Sequence, residues 1–128
     1  MPLAALYIAI GGALGALSRW LLSQTLNTLF PTLPPGTLLA NLIGGYLMGI
    51  AMAYFSGLGL AHEGWRVFVM TGFLGGLTTF STFSAEIMTL MMQQRYLWAL
   101  GGVAIHVIGS LFMVALGMAT WSLLKGQA

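Results

Sequence analysis

The chain has 128 residues, of which 59% are hydrophobic and only 5% are charged. A soluble domain of ordinary composition carries about 25% charged residues, so this chain has too few polar side chains to cover a surface in water. Its basic residues do not cluster, which excludes a nucleic-acid interface. The lack of cysteine excludes disulfides and thiolate metal sites. The composition therefore indicates a protein whose solvent is the lipid bilayer.

Four apolar segments are long enough to cross a membrane, since a spanning helix needs about 20 residues. The segments cover residues 3–30, 36–60, 67–92 and 96–124. A proline-rich turn, a polar run at 61–66 and a tight polar turn at 93–95 separate them. The sequence predicts an all-α membrane protein that is a single domain of four transmembrane helices.

Small residues recur four positions apart in the first segment, where Gly11 pairs with Gly15 and Gly12 pairs with Ala16. This spacing places them on one helix face and predicts close packing against another helix. Arg19 follows near the end of the segment. Two interpretations of this residue stay open: an anchor at the membrane interface, or part of an electropositive vestibule that gathers anions.

Two polar side chains lie inside the second and fourth segments. Asn41 is costly in lipid unless it is hydrogen-bonded, so it either joins two helices or donates to a species in a conduit. His106 and Ser110 are four residues apart and share a helix face. A single histidine in such a helix more often packs than binds a metal, and no second ligand lies at the spacing of a transition-metal site.

The third segment contains a stretch that differs from an ordinary membrane helix. Residues 72–84 include three glycines, five hydroxyl residues and three phenylalanines, and Glu86 follows shortly after. Glycine loosens a helix, and irregular backbone at membrane depth is tolerated mainly where it lines a site or is buried in protein. This composition predicts a broken third helix that lines a site for a small charged species.

The side chains of this stretch suit a small anion. Thr78, Thr82 and Glu86 recur every four residues and are predicted to form one polar stripe on a helix, while Phe80 and Phe83 share another face. Aromatic ring edges carry partial positive charge, and hydroxyl and amide groups donate hydrogen bonds. Such weak donors pass an anion along without trapping it. Backbone carbonyls freed by a break would suit a hard cation such as Na⁺.

The basic residues give no clear orientation in the membrane. With four spans, Arg66 and Lys125 lie on one side, and Arg95 and Arg19 lie on the other. Two against two leaves the positive-inside rule without a bias. The sequence therefore predicts that the chain inserts in both orientations and that opposite copies pair about a two-fold axis in the membrane plane.

Three motifs give the chain a resemblance to a known family. The runs 11–19 and 72–84, together with 36–38, Asn41 and Gly44, resemble the Fluc (CrcB) family of fluoride channels over essentially the whole chain. The resemblance implies that the protein is a passive channel and not an enzyme. This channel would export fluoride from the cytoplasm across the bacterial inner membrane and so lower fluoride toxicity. It also implies a four-helix subunit that forms an antiparallel, dual-topology homodimer with two fluoride pathways.

The resemblance further implies roles for single residues. Main-chain carbonyls of Gly75 and Thr78 from each subunit would hold a central Na⁺, and Arg19 would lie by the vestibule. The implied fluoride pathway consists of Asn41, Phe80, Ser81, Thr82, Phe83 and Ser110.

Three alternatives stay open on the residues alone. The same donors and ring edges suit chloride as well as fluoride, so the residues do not select the anion. A small multidrug-type transporter would exchange protons for cations through a membrane carboxylate, for which Glu86 is the candidate. A structural subunit would need only the glycine faces.

Overall fold

The structure, a computed structural model, describes residues 2–126 and consists over that range of helices and the turns that join them. The helices are α1 Pro2–Leu26, α2 Pro35–Ser56, α3 Glu63–Arg66, a π-helical segment Val67–Leu74, α4 Gly75–Leu77, α5 Phe80–Met92 and α6 Tyr96–Leu124. Short 3₁₀ turns lie at Asn27–Leu29 and Leu60–His62. Within the described residues, four stretches are long and apolar enough to cross a membrane: Leu3–Leu29, Pro35–Ser56, Leu60–Met92 and Tyr96–Leu124. The predicted all-α protein with four spans is confirmed.

The turn before α2 and the turn after α5 lie where the sequence predicts them. Pro35 begins α2, at a position where the missing N–H of proline costs no helical hydrogen bond. After α5, Gln94 adopts a left-handed backbone with φ of 60°. This conformation lets the Arg95 N–H donate to the Leu90 carbonyl at 2.9 Å, which closes the end of α5.

The link between the second and third spans differs from the prediction. Helix α2 ends at Ser56 rather than at Leu60, and the run 61–66, predicted as a polar turn, is helical and continues into the third span. The non-helical link is 57–59. Neither of its two glycines has an atom within 4 Å of the position of a Cβ, so little packing there offsets the low helix propensity of glycine.

The backbone leaves the helical conformation at Thr78 and Thr79, between α4 and α5. Thr78 has φ −84° and ψ 158°, and Thr79 has φ −150° and ψ 121°. Thr79 caps α5, because its Oγ1 accepts a hydrogen bond from the Thr82 N–H at 3.1 Å. The prediction that Thr78, Thr82 and Glu86 form one helical stripe is therefore wrong, since Thr78 precedes the helix that carries the other two.

Glycines let α2 and α6 approach closely. A Cβ at Gly49 would overlap the carbonyl oxygen of Val114, and a Cβ at Gly117 would overlap the carbonyl oxygen of Tyr46. The two backbones are thus in direct contact, which is the packing that small residues permit in membranes.

The small face of α1 packs in the same way against the third span. A Cβ at Gly15 would overlap the carbonyl of Phe73, and one at Gly11 would meet the carbonyl of Phe68. The predicted packing role of the α1 glycines is confirmed.

Few side chains of the described chain are buried, and many large apolar ones are exposed. Leu74 and Leu77 belong to a small buried core, whereas Trp20, Leu97 and Phe112 each expose more than half of their surface. An apolar exterior of this kind is suited to contact with lipid or with another membrane helix.

Candidate functional site

A groove of about 430 Å³ lies between α2, the start of α5 and the middle of α6. Its polar lining residues are Asn41, Thr78, Thr79, His106 and Ser110. Its apolar lining residues are Gly44, Gly45, Met48, Phe80, Phe83, Val107, Leu111 and Val114. The groove brings together four of the six residues of the predicted fluoride pathway, Asn41, Phe80, Phe83 and Ser110, although they come from three different spans.

Asn41 of α2 pairs with both backbone groups of Thr79. Its Nδ2 donates to the Thr79 carbonyl at 3.1 Å, and its Oδ1 accepts from the Thr79 N–H at 2.8 Å. A non-helical residue in an apolar environment would otherwise leave both groups without partners, at a substantial free-energy cost. The interpretation of Asn41 as a hydrogen-bonded bridge between helices is confirmed, and the bridge stabilises the extended backbone between α4 and α5.

His106 of α6 continues this network. Its Nδ1 lies 3.0 Å from Asn41 Nδ2, and its ring centroid lies 4.5 Å from that of Phe83, with 34° between the ring planes. Only 5% of its surface is exposed. Sequence reasoning left this residue out of the site; its position four residues before Ser110, on the same helix face, was the available signal.

Phe80 and Phe83 are neighbours at the start of α5. Their ring centroids are 5.7 Å apart and their planes are tilted by 59°. Phe83 is buried beneath the groove, whereas Phe80 exposes 77% of its surface. Both rings line the groove, and the edge of an aromatic ring carries partial positive charge.

The three predicted hydroxyl residues are not equivalent. Ser110 lines the groove. Ser81 is exposed and Thr82 is half-buried on α5, and within the described residues neither contributes to the groove lining. The structure thus places one of the three hydroxyls in the groove and two on the helix that leads away from it.

Glu86 lies in a different environment from the groove. Its Oε2 accepts a hydrogen bond of 2.6 Å from the hydroxyl of Thr37, a residue of α2 that is 1% exposed. It borders a separate depression together with Thr89 and Arg95. The carboxylate therefore has a hydroxyl donor as its partner and stands apart from the residues that line the groove.

Arg19 contacts the third span rather than only the surface of α1. Its Nε donates to the carbonyl of Gly76 in α4 at 3.1 Å. The contact joins the C-terminal part of α1 to α4 and places a basic side chain close to the non-helical residues Thr78 and Thr79.

The carbonyls of Gly75 and Thr78, predicted to hold a cation, lack their usual helical partners. The N–H of Thr79, four residues after Gly75, donates to Asn41. The N–H of Thr82, four residues after Thr78, donates to Thr79 Oγ1. In an α-helix these two N–H groups would bind the two carbonyls, so both oxygens keep acceptor capacity and fit a hard cation that prefers oxygen ligands.

The four apolar spans define a multi-pass membrane protein, and the groove gives it a site with polar groups between its helices. The chain belongs to the CrcB family, because the family model described as CrcB-like protein, Camphor Resistance (CrcB), matches residues 6–118.

Similar proteins carry a more specific name. A protein of Tolumonas auensis named fluoride-specific ion channel FluC is 63% identical over 94% of both chains. Proteins of the same name from Pseudomonas putida and Chromohalobacter salexigens are 55% and 56% identical over 95% and 98% of this chain, and 96% and 95% of their own. The resemblance drawn from the motifs is confirmed at the level of the family.

Proposed function

We propose that this chain forms a passive, fluoride-specific ion channel. The observation that carries the proposal is the groove, which joins Asn41, His106, Ser110 and two tilted phenylalanines in a protein of four apolar spans. The printed names of relatives up to 63% identical support fluoride as the ion.

The proposed pathway follows the groove and then α5. The edges of Phe80 and Phe83 and the hydroxyl of Ser110 offer weak donors to a dehydrated anion. Ser81 and Thr82 extend this polar path along α5. Within the described residues the groove lining contains no lysine or arginine, and weak sites without a fixed cation favour conduction over tight binding.

A second copy of the chain would cover the open side of the groove. Phe80 is 77% exposed at the mouth of a groove that also contains Asn41 and Ser110. Polar groups facing lipid are unfavourable, so closure by protein stabilises the site. Because the positive-inside rule finds two basic residues on each side, the proposed assembly is an antiparallel homodimer of dual topology, with two pathways.

A structural Na⁺ at the dimer axis is part of the proposal. The carbonyls of Gly75 and Thr78 from each copy would hold it, since the N–H groups that would normally bind them donate elsewhere. When bound, such a cation supplies positive charge that balances the carbonyl dipoles and joins the two subunits. In this proposal the third span is a single helix that is broken at Thr78 and Thr79. The break provides carbonyl oxygens for the cation, and it also contributes residues to the lining of the anion groove.

The cellular role follows from passive flux. A channel breaks no covalent bond and is not an enzyme; placed in the bacterial inner membrane, it lets fluoride leave the cytoplasm down its gradient and so lowers fluoride toxicity.

The multidrug-type alternative depends on Glu86, which lies outside the groove and accepts a hydrogen bond from Thr37. No contact among residues 2–126 favours that alternative.

Flux from liposomes tests the function. Purified protein in liposomes loaded with potassium fluoride should release fluoride when a potassium ionophore removes the charge imbalance. Matched liposomes loaded with potassium chloride should not release chloride. Proton-driven uptake of a lipophilic cation would instead support the transporter hypothesis, and a folded protein without either flux would support the structural-subunit hypothesis.

Topology is tested separately. A reporter at the C-terminus should be found on both sides of the membrane. A single orientation would contradict the antiparallel dimer while leaving the flux result unaffected.

A further inference from the structure

The backbone of Thr79 determines the orientation of the Asn41 amide. Thr79 donates its N–H to Oδ1 at 2.8 Å and accepts from Nδ2 at 3.1 Å. The flipped amide would set an NH₂ group against an N–H and an oxygen against a carbonyl, so the two contacts together permit only one assignment.

The oriented amide in turn determines the state of His106. One Nδ2 hydrogen of Asn41 is directed to the Thr79 carbonyl, and the other is available to His106 Nδ1 at 3.0 Å. Nδ1 must therefore accept, which requires that it carry no hydrogen. The ring is then the neutral tautomer with its hydrogen on Nε2.

The Nε2–H group is a donor without a protein partner. Among residues 2–126 the only hydrogen bond of the His106 side chain is the one through Nδ1, and 5% of the residue's surface is exposed. The ring lines the groove and lies against Phe83. Within the described residues no fully buried side-chain nitrogen or oxygen lacks a hydrogen-bond partner, so Nε2 is accessible from the groove, where a low dielectric strengthens a hydrogen bond to an acceptor.

We infer that His106 is an anion-binding residue of the groove, and that its Nε2–H donates a hydrogen bond to a small, strongly accepting anion such as fluoride. The inference rests on the proposed function, in which the groove carries that ion. A neutral donor stabilises the anion as it passes without the charge that would hold it there. The network Thr79–Asn41–His106 thus serves as a support that keeps one donor directed into the groove.

Nitrogen NMR of the folded protein tests this directly. The chain has two histidines, so a His62→Asn variant with ¹⁵N-labelled histidine reports on His106 alone. We expect a protonated Nε2 and an unprotonated Nδ1, and a change in the Nε2–H resonance when sodium fluoride replaces sodium chloride. A proton on Nδ1, or an Nε2–H resonance that fluoride leaves unchanged, would overturn the assignment.

Two substitutions separate the roles of the two ring nitrogens. His106→Asn keeps an acceptor near the Nδ1 position but removes the Nε2 donor, whereas His106→Gln places an amide NH₂ near Nε2. We expect fluoride flux to fall about tenfold in the first variant, the scale of one lost hydrogen bond, and to be largely retained in the second. Flux retained with Asn and lost with Gln, or equal flux in both, would contradict a donor role.

The two experiments also separate this inference from the proposed function. If the wild-type protein passes no fluoride, the channel proposal fails, yet the tautomer and the fluoride-dependent shift still decide whether His106 binds the anion.

Discussion

Helices α2 and α6 are held together differently in two regions along their length. Around Gly49 and Gly117 the two backbones touch, and neither glycine leaves space for a methyl group. Around Asn41 and His106 the same helices are joined by a hydrogen bond between these two side chains. The Asn41 side chain also forms a hydrogen bond with the backbone of Thr79. The first region is closely packed, whereas the second borders a groove of about 430 Å³.

This difference explains how one pair of helices has a fixed separation and still borders a groove with oriented polar groups. Dispersion contacts are non-directional and are lost within a fraction of an ångström, so the glycine region sets the distance between the helices. Hydrogen bonds are directional, so the polar region sets the orientation of donors. Because the helix distance is already determined by the glycines, the polar groups need not fill the space between them, and a groove remains.

The largest expected effect is at the glycine region. Gly117→Ala should destabilise the protein by about 3 kcal/mol, because the added methyl overlaps the Tyr46 carbonyl and the helices must separate. Gly101→Ala on the same helix is the matched control, since no atom lies within 4 Å of its Cβ position. Denaturant unfolding in detergent measures both, and equal stability of the two variants would show that the glycine contact does not set the helix distance.

The next effect is at the polar region. Asn41→Ala leaves the N–H and carbonyl of Thr79 without partners, so we expect a loss of about 2 kcal/mol of stability together with most of the fluoride flux. Tyr46→Phe is the control, because it removes a 3.0 Å hydrogen bond to Thr120 between the same two helices but away from the groove. A larger flux loss in Tyr46→Phe than in Asn41→Ala would mean that the two regions have the opposite roles.

A third prediction separates the groove from the fold. Phe80→Ile should remove most of the fluoride flux, by about tenfold or more, because it deletes an aromatic edge, while dimers remain intact. Phe112→Ile is the control, an exposed phenylalanine on α6 outside the groove. Flux assays with size-exclusion chromatography measure both properties, and unchanged flux in Phe80→Ile would mean that its ring only packs.

The smallest effect is expected at Glu86. Glu86→Gln retains an oxygen that accepts from the Thr37 hydroxyl and changes nothing that lines the groove. Passive fluoride flux should therefore stay within about twofold of the wild type, which corresponds to less than about 0.5 kcal/mol. Flux is measured with and without a pH gradient. Complete loss would restore the proton-coupled hypothesis.

The spans, the proline turn and the polar turn after α5 were predictable from local sequence. Helix length in a membrane follows from the run of apolar residues, and a proline or a short polar run interrupts it without reference to any other part of the chain. The packing face of α1 was predictable for the same reason, since small residues four apart share one side of a helix. The link at 57–59 was misplaced, because a polar run such as 61–66 is compatible with either a turn or a helix end.

The site was predicted only in part. Phe80, Phe83, Asn41 and Ser110 were chosen from their chemistry, and the structure brings all four to one groove. Their roles in fluoride conduction, the Na⁺ at Gly75 and Thr78, and the antiparallel dimer stay predictions.

Local sequence thus determined the four apolar spans, the turns before α2 and after α5, the small face of α1, and which polar groups lie in apolar spans. Tertiary structure alone decided that Asn41 pairs with Thr79, that Asn41 Nδ2 lies 3.0 Å from His106 Nδ1, and that Glu86 accepts a hydrogen bond from Thr37 outside the groove. The reason is physical: these hydrogen bonds join residues 38, 65 and 49 positions apart. No periodicity within a single helix encodes such contacts, which depend on how closely the glycines let the helices approach.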